Sequence, residues 1–210
     1  MNFSFTEDQL AIRSAVEELC APFDDDYWRK KDTVGGFPQD FYSAIAKAGW
    51  LGIAMPVEYG GAGLGISEAA LMMETISGSG AGLSGASAVH MNVFGLHPVV
   101  VYGSQEQKAR WLPPIISGES KACFGVTEPN TGLNTLKLKT RAVRKGDRYI
   151  VNGQKIWITT AHLAKWGLFV MRTDPDAIAE KRKQRGITAF IVDMDTPGIT
   201  CRPIRDIVGD

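Results

Sequence analysis

The sequence predicts an α+β chain in which a helical bundle over residues 1–119 is followed by an antiparallel β-barrel or sandwich over residues 120–210. Three observations carry this. Apolar residues recur at helical spacing up to Gly118, and short strand-like runs replace them afterwards. Several helical stretches follow one another with no strand between, as in a bundle. The later runs are short and closely spaced, and Asn152-Gly153 between two of them is the residue pair favoured by a type I′ hairpin turn.

Thr6-x-x-Gln9 is a capping box with Phe5 and Leu10 at the staple positions, and Leu10, Val16, Leu19, Cys20 and Phe23 follow at helical spacing. A second helix begins near Pro38, suited to a first helical position, buries Phe41 and Ile45, and ends near Gly49. A third covers 67–76. A fourth, rich in small residues, covers 83–102 with Pro98 kinking or breaking it. A fifth opens with the capping box Ser104-x-x-Gln107 and stops at Pro113-Pro114. Strands are expected over 122–127, 138–143, 149–151, 155–160, 166–172, 188–193 and 199–203, with an exposed polar loop over 174–185.

Composition narrows the function classes. Lys+Arg and Asp+Glu are equal at 23 each, which disfavours a nucleic-acid binder with its basic excess. No apolar run reaches the ~18 residues of a membrane span. The start, MNFSFTEDQL, lacks the basic and apolar regions of a signal peptide. Three widely spaced cysteines fit a reducing compartment. A cytoplasmic protein is expected, with the mitochondrial matrix as the alternative.

Several features have plain explanations. The glycine run at 60–65 joins two helices rather than leaving a strand, so it reads as a loop and not as a dinucleotide fingerprint. His90 and His97 lack a third ligand, and no metal site is expected. Cys123 reads as a buried inert thiol. The basic residues from Lys137 to Arg148 read as a solvated strand face, with a ligand phosphate as the alternative partner.

Two segments remain. In Phe124–Gly132 a strand ends at Thr127-Glu128-Pro129, leaving backbone N–H groups and the Thr127 hydroxyl free for a ligand, or simply making a turn. In 153–160, Trp157 and Thr159 on a strand would face the same way. They either flank a planar heteroaromatic ligand with an indole and a hydroxyl or fill the core.

These segments, Val126-Thr127-Glu128-Pro129 and then Asn152-Gly153-Gln154-Lys155-Ile156-Trp157-Ile158-Thr159, resemble the acyl-CoA dehydrogenase family. MPVEYGGAGLG at 55–65 and YGSQEQKARWLPPIISGE at 102–119 resemble it too, and the likeness runs from Phe5 to the last residue. The resemblance implies a helical domain, a β-domain that is incomplete here, and a further helical domain beyond Asp210. It implies FAD as cofactor, acyl-CoA thioesters as substrates, electron-transfer flavoprotein as electron acceptor, and a homodimer or homotetramer. Phe124, Val126, Thr127, Gly132, Leu133, Trp157, Ile158 and Thr159 would contact the cofactor. Trp157 would flank the flavin, Thr127 would meet its polar edge, and Thr159 would bond near its reactive nitrogen. Leu133 stands where the family often has Ser, so only its backbone is carried over, for pyrophosphate and substrate. Thr160 stands where Asn is common. No catalytic residue is assigned in this chain; the base, a carboxylate, is expected in the further helical domain. The alternatives are an acyl-CoA oxidase or flavin monooxygenase on the same fold, or a non-catalytic binding module.

Overall fold

The computed structural model describes residues 4–174 and 183–204. The chain divides into two compact units, Met1–Lys121 with Arg202–Asp210, and Ala122–Cys201.

The first unit is helical: α1 (Glu7–Cys20), α2 (Asp25–Val34), α3 (Gln39–Lys47), α4 (Ile66–Ile76), α5 (Gly82–Phe94), α6 (His97–Tyr102) and α7 (Gln105–Ile116). Both capping boxes form. Thr6 Oγ1 accepts from the Gln9 N–H and Gln9 Oε1 from the Thr6 N–H, and Ser104 and Gln107 do the same. On α1 only Val16 and Cys20 are fully buried; Phe5 and Leu10, expected as a staple, are both exposed.

The whole of α2 escaped the sequence reading. Its run of Asp residues hides the apolar period, although Asp24 caps it by accepting from the Tyr27 N–H at 3.0 Å. Pro38 is the residue before α3, not its first. The expected helix over 83–102 is two helices, with Pro98 in the first turn of the second, where its missing N–H costs nothing. α7 does not stop at Pro113-Pro114 but runs through them for two more residues. Both prolines lie in the last turn, and buried Leu112, Ile115 and Ile116 hold it in place.

The core of this unit is Val16, Cys20, Trp28, Phe41, Tyr42, Ile45 and their neighbours from α4 and α5. Asn92 ties it together. It is buried, and its amide donates to Tyr42 Oη at 2.8 Å, to the Ile115 carbonyl at 3.0 Å and to the Ser120 carbonyl at 2.9 Å. Burial pushes the Tyr42 phenol up to about 12, against the Asn92 hydrogen bond. In the glycine-rich loop the N–H groups of Gly61, Ala62, Gly63 and Leu64 all go to carbonyls of 52–56, so the loop is closed on itself.

The second unit is a sheet of β1 (Ala122–Gly125), β2 (Arg141–Lys145), β3 (Arg148–Asn152), β4 (Trp166–Arg172) and β5 (Ile187–Asp193). It is mixed rather than wholly antiparallel. β4 pairs with β5 antiparallel along its full length on one edge. Its other edge is shared: β1 lies parallel to residues 166–169, and β2 meets it in parallel at Arg172. Parallel pairing needs a long return, which residues 126–165 supply. The β2–β3 hairpin turns at Gly146-Asp147, with Gly146 at φ +62, not at Asn152-Gly153. No strand forms at 199–203. The loop expected over 174–185 lies largely outside the described residues; from Lys183 to Gly186 the chain makes a 3-10 turn.

No described helix is long and apolar enough to cross a membrane, and the described residues hold no cluster of His, Cys, Asp or Glu that could bind a metal.

Candidate functional site

Residues 126–140 leave the edge of β4 where β1 stops and rejoin it where β2 begins. Within them the chain turns sharply. The backbones of Glu128 and Thr131 exchange hydrogen bonds of 2.9 and 3.0 Å around Pro129 and Asn130. The Glu128 side chain is turned inward and only 6% exposed. Its Oε2 accepts from the Lys139 N–H at 2.7 Å, and its Oε1 accepts from the Thr140 N–H at 2.9 Å and from Lys155 Nζ at 3.0 Å. Lys155 Nζ also donates to the Val126 carbonyl at 2.9 Å.

Burial alone would raise the Glu128 carboxyl. The two backbone N–H groups and Lys155, with the Thr140 hydroxyl close by, outweigh it and hold the group at about 2. At Lys155 burial wins, and the ammonium is pushed down despite its partner. A 3.0 Å contact with a carboxylate that ionises at about 2 is an ion pair all the same. Such a carboxylate, with both oxygens engaged, is a poor proton acceptor and serves as a structural group.

The returning loop is gripped by a second buried charge. The Arg172 guanidinium donates to the carbonyls of Leu136 and Leu138 at 3.0 and 3.1 Å, while the Thr131 hydroxyl donates to the Lys137 carbonyl at 3.2 Å. Glu128 therefore collects N–H groups and Arg172 collects carbonyls from one stretch of chain.

Residues 156–160 run back in the opposite direction beside β1 and the two residues after it. The Ile156 N–H donates to the Thr127 carbonyl at 3.0 Å and the Thr160 hydroxyl to the Ala122 carbonyl at 3.4 Å. They do not make the expected strand. Trp157 and Thr160 have φ of +61 and +57, and left-handed residues cannot sit in a pleated ladder. The expectation that Trp157 and Thr159 share a strand face falls with it. Gly153 is needed for closeness rather than for a turn, because a Cβ there would overlap Thr140.

Bulky residues at positive φ are rare and cost about 1–3 kcal/mol, and they cluster at functional sites. Trp157 is also 69% exposed, so no core packing explains it.

The candidate residues thus fall into two groups. Val126 and Thr127, half-buried, are stitched to the segment that carries Trp157, Ile158 and Thr159, the last two also half-buried. Phe124 projects from β1 away from buried Cys123 and is 39% exposed. Gly132 and Leu133 lie beyond the turn, fully open to solvent in the case of Leu133, and no hydrogen bond among the described residues links them to 157–159. Gly125 lets the Phe169 ring lie across β1, since a Cβ there would overlap that ring.

The sequence reading missed the Glu128–Lys155 pair, Arg172 and the left-handed backbone of Trp157. The first left a trace. One acid and one base stand in otherwise uncharged motif segments, and buried charges need partners.

The acyl-CoA dehydrogenase N-terminal domain model matches residues 6–119, and the acyl-CoA dehydrogenase middle domain model matches residues 123–210. The chain is 34% identical over 209 residues to a probable acyl-CoA dehydrogenase of Bacillus subtilis, covering 100% of this chain and 54% of that one. It resembles the crystal structure of an acyl-CoA dehydrogenase from Geobacillus kaustophilus, with a TM-score of 0.82 and 29% identity over 94% of this chain and 51% of that one. A glutaryl-CoA dehydrogenase of Mycobacterium smegmatis, solved in complex with FADH2, gives a TM-score of 0.80 at 29% identity, over 95% of this chain and 49% of that one. The chain spans about half the length of these relatives.

Proposed function

The chain belongs to the acyl-CoA dehydrogenase family, and on that premise we propose that its second unit holds FAD for the α,β-dehydrogenation of acyl-CoA thioesters. The single observation that carries the assignment is Trp157, an indole held in solvent by a left-handed backbone beside the end of β1. A flat apolar ligand would bury that surface and give the strained conformation its purpose.

The residues present fit such a group. Trp157 would cover a planar ring. Thr127 and Thr159 would offer hydroxyls to its polar edge, and Phe124, Val126 and Ile158 would line it. The backbone of Gly132 and Leu133 would meet the pyrophosphate, and that of Leu133 also the substrate. When bound, FAD supplies the two-electron acceptor that the amino-acid side chains lack. The chain's own part is to orient the ring and keep water off it. Glu128 does not take the α-proton, since its carboxylate is committed to Lys139, Thr140 and Lys155. We place the base on a carboxylate outside these motifs. Electron transfer to electron-transfer flavoprotein and a homo-oligomeric assembly belong to the same proposal.

The test uses the whole protein. Purified, it should be yellow and release FAD on denaturation. Under anaerobic conditions, acyl-CoA of one or more chain lengths should bleach the flavin. A colourless protein that cannot be reconstituted with FAD would overturn the proposal. Rapid peroxide formation when oxygen meets the bleached protein would move it to the oxidase branch.

A further inference from the structure

The Glu128–Lys155 pair joins two segments that the sequence separates by 27 residues, and both segments end in candidate site residues. Lys155 Nζ reaches the Val126 carbonyl and the Glu128 carboxylate, and the next N–H, that of Ile156, reaches the Thr127 carbonyl. Trp157 follows at once with its left-handed backbone. Nothing about Trp157 itself favours that conformation. The side chain is largely exposed, and the residue is neither Gly nor Asn. The constraint comes from the neighbours that are fixed: Lys155 and Ile156 directly before it, each bonded across to 126–128, and Thr160 after it, whose hydroxyl reaches the Ala122 carbonyl.

We propose that Glu128 and Lys155 are positioning residues of the cofactor face: their buried ion pair holds Trp157 in the left-handed conformation before any ligand arrives. The ligand then finds the indole already presented. Without the pair, Trp157 relaxes to an ordinary backbone conformation, and binding must restore the strained one. A ligand that has to impose conformational order binds more weakly by that amount. The expected loss in FAD affinity is about 5- to 150-fold, equivalent to about 1–3 kcal/mol of backbone strain. The link to affinity rests on the FAD assignment above; the claim about Trp157 does not.

The experiment separates the two. The whole protein is labelled with 5-fluorotryptophan, and its Trp157 resonance is identified by its loss in Trp157→Phe. 19F spectra are then taken on the FAD-free protein for wild type, Lys155→Met and Lys155→Arg. Lys155→Met should shift or broaden the Trp157 resonance and leave the other tryptophan signals in place, while Lys155→Arg, which keeps the charge, should stay near wild type. FAD titration should follow the same order. If Lys155→Met does not fold, the double variant Glu128→Gln/Lys155→Met, which buries no unpaired charge, takes its place with the same expectation. An unmoved Trp157 resonance in a folded Lys155→Met or double variant would overturn the proposal. So would FAD affinity that falls no further than in Ile45→Val, a core change in the first unit. If wild type binds no FAD at all, the cofactor assignment fails, while the 19F spectra still decide the positioning claim.

Discussion

Replacing Trp157 by Gly and, separately, by Ala measures the backbone conformation at the centre of the site. Trp157 is 69% exposed, so about a third of its surface is covered. With roughly 250 Å² for the side chain and about 25 cal/mol per Å², truncation forfeits ~2 kcal/mol in both variants. That loss is common and cancels in the comparison. What remains is the backbone. At an ordinary position Gly is less stable than Ala by about 0.5–1 kcal/mol, because it gives up more freedom on folding. At φ +61 the order should reverse. Ala retains the left-handed penalty of about 1–2 kcal/mol, and Gly does not. The net expectation is that Trp157→Gly is more stable than Trp157→Ala by about 1 kcal/mol. In a chain of this size that is a rise in Tm of about 2–4 °C. Urea denaturation monitored by far-UV circular dichroism should show a higher midpoint for Gly at unchanged slope. Both variants should lose FAD alike, since neither carries the indole. If Ala proves more stable than Gly by the ordinary margin, Trp157 does not occupy the left-handed region, and the strain that points to function is absent.

Two further outcomes follow from the same geometry. The folded-state pKa of Glu128, about 2, lies below its unfolded value of about 4.3. Its contribution is therefore fully present above the unfolded value and is lost as pH falls through the window from about 5 to about 2. At neutral pH it amounts to at most about 3 kcal/mol, offset in part by the cost of burying Lys155. The stability gap between wild type and Glu128→Gln, measured by urea titration at a series of pH values, should shrink across that window; a constant gap would show that Glu128 is not held ionised. Gly125→Ala places a methyl group against the Phe169 ring and should cost about 1–3 kcal/mol through overpacking. The double variant Gly125→Ala/Phe169→Leu should cost less than the sum of the two single changes, and strict additivity would show that residue 125 and the ring do not meet.

The sequence carried the local features well and the paired ones poorly. Thr6 with Gln9, and Ser104 with Gln107, close their hydrogen bonds within one helical turn, so four letters suffice to read them. β4 and β5 were legible from their apolar, β-branched runs, nearly to the residue. α2 was not, because burying only Trp28 fully leaves an apolar pattern too sparse to show a period. A turn among the basic residues between 143 and 149 is legible, but the hairpin signal on propensity alone is stronger at Asn152-Gly153. The register of β2 against β3, in which Lys145 faces Arg148, decides between them.

By itself the sequence determined which half is helical and which is strand, where several helices begin, and which two motifs carry the family's signature. These are properties of residues within a few positions of one another, and their energetics are those of single turns and single strand faces. Only the tertiary structure decided that β1 and β4 run parallel, that Glu128 is a buried ion-paired carboxylate rather than a free acid, and that Trp157 stands at positive φ. The partner of a strand edge or of a buried charge is chosen across tens of residues, by what else reaches that place in the fold. A strained backbone persists only because such distant partners hold it, and no local preference of tryptophan could have announced it.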